Sequence, residues 1–201
     1  MKFKYMYYYC ERTSDYFFSE PLNAITNFAF IFVSFLIFKN SRYIHYSNIF
    51  APIIFFIGIG SLLFHTFPNK FTGLMDIFFI LLFVSVYAYL IYKAVFKYSL
   101  LVTLICTFIA PFIYFVLGSN LKNYFVILGD SSFYLMIFIH LCLIYFISLK
   151  KNYRNSSNIL IAGIIFIISI FFRISDKYFC ELNVFGTHFI WHICNAVVLY
   201  F

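Results

Sequence analysis

Charged side chains are scarce in this chain. Lysine, arginine, aspartate and glutamate make up 10% of its 201 residues, and only seven of these are acids. Apolar residues account for 64%, well above the share of about half that is usual in soluble domains. Composition therefore excludes an ordinary soluble domain and indicates a protein that crosses a membrane several times.

The sequence also lacks a long polar linker, an internal repeat and a concentrated basic patch. Its net charge of +7 comes from lysines and arginines scattered over short loops, whereas a nucleic-acid-binding surface gathers them on one face. The first residues, which include Lys2 and Lys4, lack the apolar core and small-residue cleavage site of a signal peptide. We therefore expect the first apolar segment to direct membrane insertion.

Apolar runs close to the length of about 20 residues that a helical span requires recur along the chain. Polar clusters separate these runs. Together they predict a single all-α domain, residues 1–201, built as a polytopic membrane bundle of seven transmembrane helices. The predicted spans are 21–38, 47–67, 71–92, 98–118, 130–149, 157–174 and 185–201.

The charges between these spans predict an orientation. The loops that follow the first, third and fifth spans contain lysine and arginine but no acid, and every aspartate and glutamate lies toward the opposite side. Because basic loops favour the cytoplasmic side, we predict an outer N-terminus, whether periplasmic, extracellular or lumenal, and a cytoplasmic C-terminus. When lysine and arginine alone are counted, the two sides differ less.

The five cysteines fall into two groups. Cys106, Cys142 and Cys194 lie within apolar spans, where a thiol packs as a small apolar group. Cys10 and Cys180 both lie on the acidic, outer side, where an oxidising compartment allows a disulfide between them. The sequence does not show whether their Cα atoms come within bonding range.

The last span contains the run Gly186-Thr187-His188-Phe189-Ile190-Trp191-His192, with two histidines four residues apart. On a helix this spacing places both imidazoles on one face, close enough to share a metal ion. Ionisable groups at membrane depth cost free energy and tend to mark functional sites. We interpret His188 and His192 as part of a candidate metal site.

Three further polar residues are predicted at a similar depth. Ser61 and His65 share a face near the outer end of the second span, and Asp76 lies one to two turns inside the third. With a rise of about 1.5 Å per residue, these groups and the histidine pair lie within about 10 Å of one membrane depth. Three histidines with an open fourth position form a catalytic type of zinc site.

This set of residues predicts metal-assisted hydrolysis of an amide or ester in a lipid. Zinc lowers the pKa of a water ligand to about 7 and polarises a carbonyl. Asp76 is a candidate to accept the proton of that water, or to hold the water or a histidine in place. Ser61 is a candidate hydrogen-bond donor to the developing oxyanion.

Other interpretations of the histidines remain open. Histidines on two facing helices can bind haem, although Ser61 and Asp76 would then have no evident role. A single intramembrane histidine often forms a hydrogen bond between helices, and this is how we interpret His140. His45 lies in a basic loop and is interpreted as solvated surface.

Other functions also remain open. A metal-bearing lipid sensor with little turnover is the alternative to an enzyme. The sequence shows no broken helices of the kind that transporters use.

Polar residues near the first span also have competing interpretations. Ser19 suits an N-cap with Pro21 near the first helical position, and Glu20 suits the positive end of the helix. Glu11, Asp15 and Glu20 also offer oxygen ligands for calcium, although their spacing favours capping and surface charge.

Two more pairs belong to the candidate site as supporting residues. Arg173 and Asp176 are three residues apart, which predicts a structural ion pair on one helix face. Asn23 and Asn27 share one face of the first span, where they supply hydrogen bonds either to the site or between helices.

The order of these motifs resembles the alkaline ceramidases, which belong to a wider superfamily of seven-helix membrane hydrolases that includes the adiponectin receptors. The resemblance spans nearly the whole chain. The matching motifs are Cys10-Glu11-Arg12, Ser19-Glu20-Pro21-Leu22-Asn23-Ala24, Gly58-Ile59-Gly60-Ser61 with His65 and Asp76, Arg173 to Asp176, and the Gly186 to His192 run.

The resemblance implies a function for each member of the candidate site. The residues that match its zinc ligands are His65, His188 and His192. Asp76 matches the residue that acts on the zinc-bound water, and Ser61 matches the residue near the reacting carbonyl. The implied reaction is hydrolysis of the ceramide amide to a sphingoid base and a fatty acid.

The resemblance further implies a bridge between Cys10 and Cys180. Eukaryotic ceramidases carry an N-terminal calcium site, and Glu11 and Glu20 match two of its ligands. The other ligand positions differ, with Tyr8 in place of an aspartate, Thr13 or Ser14 in place of an asparagine, and Asp15 as a substitute. The chain is also shorter than typical eukaryotic members, with a shorter N-terminal segment, and in this respect it looks closer to bacterial ceramidase-like proteins.

Overall fold

A computed structural model describes residues 9–14, 16–42 and 46–201. Tyr8, Asp15 and His45 lie outside these residues. Within them the chain is all-α and contains no strand, in agreement with the predicted fold class. The α-helices are α1 (Pro21–Thr26), α2 (Phe28–Lys39), α3 (Ser47–Thr66), α4 (Lys70–Leu90), α5 (Leu100–Tyr124), α6 (Ser131–Lys150), α7 (Ser156–Phe179) and α8 (His188–Tyr200).

Six helical stretches in the described part of the chain are long and apolar enough to cross a membrane. The first combines α1 and α2 (Pro21–Lys39), and the third adds the π-helical turn Ile91–Val95 to α4. The other four are α3, α5, α6 and α7. These helices support an integral membrane protein. The last helix, α8, is apolar but has 13 residues and is therefore about 20 Å long.

Two of the predicted breaks lie inside helices. The helix α5 continues through the polar cluster 119–123 to Tyr124, and α7 continues to Phe179, so that Asp176 is helical. A polar cluster ends an apolar run without ending the backbone hydrogen bonding of a helix. The predicted spans 98–118 and 157–174 therefore stopped several residues before the helices do.

The helices form a closed ring. Each of the helices α2 to α7 packs against the next along the chain, and α8 packs against both α7 and α2. Short connections make successive neighbours antiparallel, so the last turn of α3 and the first turns of α4 and α8 share one end of the bundle. We call it the site end.

The turn between α3 and α4 fixes the positions of two predicted site residues. Asn69 caps α4 by accepting hydrogen bonds from the backbone N–H groups of Phe71 and Thr72. The two helices pack closely at Gly60, where a Cβ would lie 3.2 Å from the carbonyl oxygen of Met75. A glycine at this position therefore lets Ser61 on α3 approach Asp76 on α4.

Large apolar side chains also cover the outside of the bundle. On α5, Phe108, Phe112 and Phe115 are 76%, 68% and 67% exposed. Contiguous apolar surface of this kind suits contact with lipid rather than water.

Residues 9–14 and 16–20 fold over the site end. A disulfide joins Cys10 to Cys180 just after α7, with their Cα atoms 5.2 Å apart. Cys106, Cys142 and Cys194 are unpaired and partly buried. The N-terminal segment is thus tied to the opposite part of the chain.

Candidate metal centre

Three histidines meet at the site end. One ring nitrogen of each of His65, His188 and His192 lies within 4.8 Å of the other two, and each residue is at most 1% exposed. His65 lies in the last turn of α3, and the other two lie in the first two turns of α8. Ring closure therefore assembles a cluster that can hold a metal ion.

The partners of His65 and His192 determine which nitrogens are available. Nδ1 of His65 donates to the Glu20 carboxylate at 2.6 Å, which leaves Nε2 for a ligand. Nδ1 of His192 is 2.9 Å from the Thr26 hydroxyl, which itself donates to the carbonyl of Leu22. This arrangement makes His192 Nδ1 the donor and its buried, unpartnered Nε2 an available lone pair.

His188 is positioned by ring contacts. It stacks against Tyr9 at a centroid distance of 3.7 Å on one side and against Trp191 at 5.2 Å on the other. Its Nδ1 is buried and has no hydrogen-bond partner among the described atoms. Burial raises the pKa of the Tyr9 phenol, so this residue stays a neutral hydroxyl. The unpartnered nitrogens and their spacing fit a metal ion.

Ser61 and Asp76 lie beside the histidine cluster. Ser61 is 1% exposed and Asp76 is 9% exposed. The Ser61 hydroxyl and Oδ1 of Asp76 form no hydrogen bond within the described structure, although such buried groups are normally paired. The Asp76 carboxylate interacts electrostatically with three polar side chains, those of His65, Arg173 and Ser61. Two reactive groups at the site are therefore available to a ligand.

Arg173 and Asp176 do not form the predicted ion pair. The Asp176 carboxylate instead accepts backbone N–H bonds from Cys10, Thr187 and His188, at 3.0, 2.7 and 2.9 Å. These donors lie outside α7 and include the positive N-terminus of α8, which binds a carboxylate well. Asp176 therefore holds the helix that carries two of the histidines.

The Arg173 side chain lies among aromatic rings. It donates to the Tyr9 hydroxyl at 3.0 Å, and its guanidinium lies 4.8 Å from the Tyr134 ring centroid and 5.1 Å from that of Trp191. Cation–π contacts of this kind stabilise a cation away from water. Through Trp191 and Tyr9 the arginine supports the two rings that enclose His188.

Comparison with known proteins adds nothing to this picture. Models of known protein families, curated proteins and solved structures gave no match to the chain.

The carboxylates predicted as calcium ligands have other partners. Glu11 accepts the backbone N–H groups of Leu22 and Asn23 at 2.6 and 2.8 Å, and thus caps α1. Glu20 accepts bonds from Arg12 at 2.5 Å, from His65 and from the Asn23 amide. All four oxygens of these two carboxylates thus accept hydrogen bonds from donors within the described residues.

The predicted N-cap is also different. The Ser19 hydroxyl bonds to Ser14 and to the Tyr16 carbonyl, so the N-cap position falls to Glu20, with Pro21 at the first helical turn. The cap itself comes from Glu11, because its folded segment brings the carboxylate to the first N–H groups of α1.

The carboxyl groups of Glu11 and Glu20, which lie at the start of α1, differ in acidity. Burial raises the pKa of Glu11 against the lowering effect of its backbone donors. Burial also acts on Glu20, but hydrogen bonds and charge from His65 and Arg12 outweigh it and lower the pKa of that carboxyl.

Asn23 and Asn27 are both fully buried and share one face as predicted. Asn23 reaches the site through Glu20, while the Asn27 amide donates to the Asn23 carbonyl at 2.8 Å. The sequence interpretation missed Arg12, Thr26 and Tyr9 as site residues. Of these three residues, only Arg12 had a sequence feature that could have indicated a role, because it is a basic residue between acidic ones.

His140 lies outside the histidine cluster. Its ring nitrogens bond to the hydroxyls of Tyr92 and Tyr114, and this residue therefore links α6 to α5 and to the turn after α4. Such an interhelical role is the one predicted for it. His140 also lines an apolar cavity, and the other lining residues include Phe30 and Trp191, whose rings contact His192.

The ring contacts argue against haem. Centroids of the three clustered imidazoles are 4.7 to 5.3 Å apart. These contacts leave no room for a macrocycle between any two of the rings.

Proposed function

We propose that this protein is an integral membrane, zinc-dependent amidohydrolase that cleaves a ceramide-like lipid into a sphingoid base and a fatty acid. The observation that supports this most is the buried cluster of three histidines beside Ser61 and Asp76, which interact with each other and whose hydroxyl and Oδ1 have no further hydrogen-bond partner within the described structure. The motif order shared with alkaline ceramidases supports the same reaction.

The donor set suits zinc. Three neutral imidazole nitrogens with room for a further ligand are the arrangement of catalytic zinc sites. When bound, zinc supplies a Lewis acid and makes a coordinated water more acidic. His65, His188 and His192 would hold the ion, and the partners of their other ring atoms would orient them.

The reaction requires one proton to move from water to the amide nitrogen. The Asp76 carboxylate would accept that proton and return it to the leaving amine. The Ser61 hydroxyl would donate a hydrogen bond to the carbonyl oxygen as negative charge develops there. Both side chains have the unpaired capacity that these roles need.

The apolar cavity supports a lipid substrate. Its walls are formed mainly by apolar side chains, and it starts at rings that contact the histidines. An acyl chain in this cavity would keep water away from the reacting carbonyl, which strengthens the electrostatic effects of Asp76 and Ser61.

We further propose seven spans with the site end facing outward. In this arrangement α8 forms the seventh span, and the loops that contain Lys39, Lys93 and Lys150 face the cytoplasm. The disulfide at the site end agrees with an oxidising outer compartment.

Metal analysis combined with a lipid panel tests this function. The purified protein should contain one zinc ion and release fatty acid from ceramide-like amides. A variant with His188→Ala and His192→Ala should lose the zinc, while Asp76→Asn should keep it and lose about 10²- to 10⁴-fold in turnover. His140→Gln is the matched control, since it removes a partly buried intramembrane histidine outside the cluster.

The outcomes separate enzyme from sensor. If the double histidine variant keeps its zinc, the metal site is wrong. If zinc is present but no lipid amide or ester is hydrolysed, the protein is the metal-bearing lipid sensor. Full turnover by Asp76→Asn would exclude this residue as the proton acceptor.

A further inference from the structure

Arg12 is a buried cation surrounded by oxygen atoms. The residue is 3% exposed, and its Nε donates to Oε1 of Glu20 at 2.5 Å. One terminal nitrogen donates to the His65 carbonyl at 2.8 Å, and the other reaches the carbonyls of Ser14 and Tyr16 at 3.3 and 3.4 Å. A carboxylate and three carbonyls are also the ligand types that hard metal ions bind.

These bonds form a closed loop around one metal-site histidine. Arg12 contacts the backbone carbonyl of His65 directly, and it contacts the imidazole through Glu20, whose second oxygen accepts from Nδ1. Both the backbone and the side chain of His65 are therefore fixed by the same guanidinium. A planar guanidinium holds its several donors in a fixed arrangement that suits this role, whereas an ammonium lacks that fixed geometry.

We infer that Arg12 is the built-in cation of an oxygen-lined site that positions His65, and that the site end consequently requires no second metal ion. This inference rests on the metal site of the proposed function. Arg12 acts through Glu20 and the α3 terminus and is therefore a positioning residue.

The neighbouring carboxylates agree with this role. The two oxygens of Glu11 accept backbone N–H groups of α1, and those of Glu20 accept Arg12, His65 and Asn23. A divalent cation added here would lie beside a buried guanidinium and would have to share or displace the hydrogen bonds that these carboxylate oxygens accept. Charge repulsion and lost hydrogen bonds would both oppose its binding.

Removal of Arg12 should weaken the metal site. In Arg12→Ala, Glu20 would lose its counter-charge and the His65 carbonyl would lose a donor, so both would be freer to move. Loss of a group that orients a metal ligand typically lowers metal affinity by about 10- to 100-fold. Zinc affinity, measured by competition with a chelator on purified full-length protein, is the readout.

Chemical rescue separates a positioned cation from simple packing. Added guanidinium ion, at concentrations well below those that denature, should restore much of the zinc affinity of Arg12→Ala and leave the parent unchanged. Lys122→Ala is the matched control, because it removes a cation from an exposed ion pair with Asp130 at the same end. Its zinc affinity should equal that of the parent, with or without guanidinium.

Three outcomes would overturn the inference. The first is an unchanged zinc affinity in Arg12→Ala, and the second is a loss of zinc affinity that guanidinium does not restore. The third is a parent protein whose zinc affinity in calcium-free buffer changes when calcium is added. If Arg12→Ala does not fold, Arg12→Lys keeps the charge but not the planar donors, and it should still bind zinc more weakly. A parent that binds no zinc would instead refute the proposed function.

Discussion

Each of the three clustered histidines is held by a different kind of contact. His65 donates to a carboxylate, His192 donates to a hydroxyl, and His188 lies between two aromatic rings. A charge-assisted hydrogen bond is stronger than a neutral one, so His65 is the most firmly oriented by hydrogen bonding. The weaker contact at His192 can be removed with little other change.

The Thr26 hydroxyl provides this test. Thr26→Val keeps the shape of the side chain but removes the acceptor for His192 Nδ1. We expect zinc affinity to fall by about 10-fold, at the lower end of the range for groups that orient metal ligands. Chelator competition on the purified protein measures the change.

Thr66→Val is the matched control for this substitution. The Thr66 hydroxyl donates to the carbonyl four residues earlier, as that of Thr26 does, and this bond stays within α3 and involves no histidine ring. Zinc affinity should therefore be unchanged. Equal affinities for the two variants would mean that Thr26 does not orient His192.

At the scale of elements, the start of α8 determines where two histidines lie. Gly186 adopts a left-handed φ of +61°, and this turn directs Thr187 and His188 toward the Asp176 carboxylate. A Cβ at Gly186 would lie 2.1 Å from Oδ1 of Asp176 and 2.7 Å from Cβ of Cys10. Only glycine fits both the backbone conformation and the space.

Gly186→Ala should therefore displace the first turn of α8. The left-handed backbone alone costs about 1–3 kcal/mol for a residue with a Cβ, and the contact with Asp176 adds to this cost. We expect a lower unfolding temperature and a loss of zinc affinity of at least about 10-fold, as for loss of a group that orients a metal ligand. Thermal unfolding in detergent and chelator competition measure the two effects.

Gly129→Ala separates backbone strain from the displacement of α8. Gly129 also has a positive φ, of +48°, but a Cβ at this position would have no described atom within 4 Å beyond its chain neighbours. This variant should lose stability through strain and keep the zinc affinity of the parent. A similar loss of zinc in both variants would contradict the proposed role of Gly186.

At the scale of the whole molecule, ring closure brings distant parts of the chain together. The helix α8 packs against α7 and α2, and the segment that contains Tyr9 and Arg12 lies over the same end. The candidate metal site is thus formed by the first and last parts of the described chain together with α3 and α4. Membrane orientation then determines which compartment this end faces.

Single-cysteine labelling tests the proposed orientation. Val184→Cys lies in an exposed loop at the site end, and Arg154→Cys lies in an exposed loop at the other end. A membrane-impermeant maleimide applied to intact cells or sealed vesicles of known orientation should label position 184 from outside, and position 154 only after permeabilisation. The parent protein gives the background from its unpaired cysteines.

The reverse labelling pattern would place the site end in the cytoplasm. Equal labelling of both positions without permeabilisation would show that the vesicles are leaky, and an alkaline-carbonate wash checks that each variant is inserted. The disulfide gives a second readout, since an outward site end should keep Cys10 and Cys180 oxidised in cells.

The sequence was a good guide to the helices and to the central residues of the site. The starts predicted for α3, α4 and α6 lie within one residue of those observed, because apolar runs and polar breaks follow the membrane boundary. The ends of α5 and α7 were wrong, since polar residues can continue a helix beyond the apolar layer.

Supporting contacts were predicted less well. The spacing of Arg173 and Asp176 allowed an ion pair, but backbone donors from α8 and the N-terminal segment bind Asp176 instead. The position of Ser19 suited an N-cap of α1, but the Glu11 carboxylate caps this helix from a separate segment. In both cases the competing partner is distant in sequence, so local periodicity carries no information about it.

By itself, the sequence determined that the chain is helical and apolar, and that His65, Asp76, His188 and His192 lie near one end. Composition and helical periodicity are local properties. In antiparallel helices joined by short turns, they determine the depth of each residue in the membrane. Only the tertiary structure decided that the three histidines converge and that Arg12 bonds to Glu20, a carboxylate once expected to bind calcium. These contacts depend on how the ring of helices closes and how the N-terminal segment folds over it.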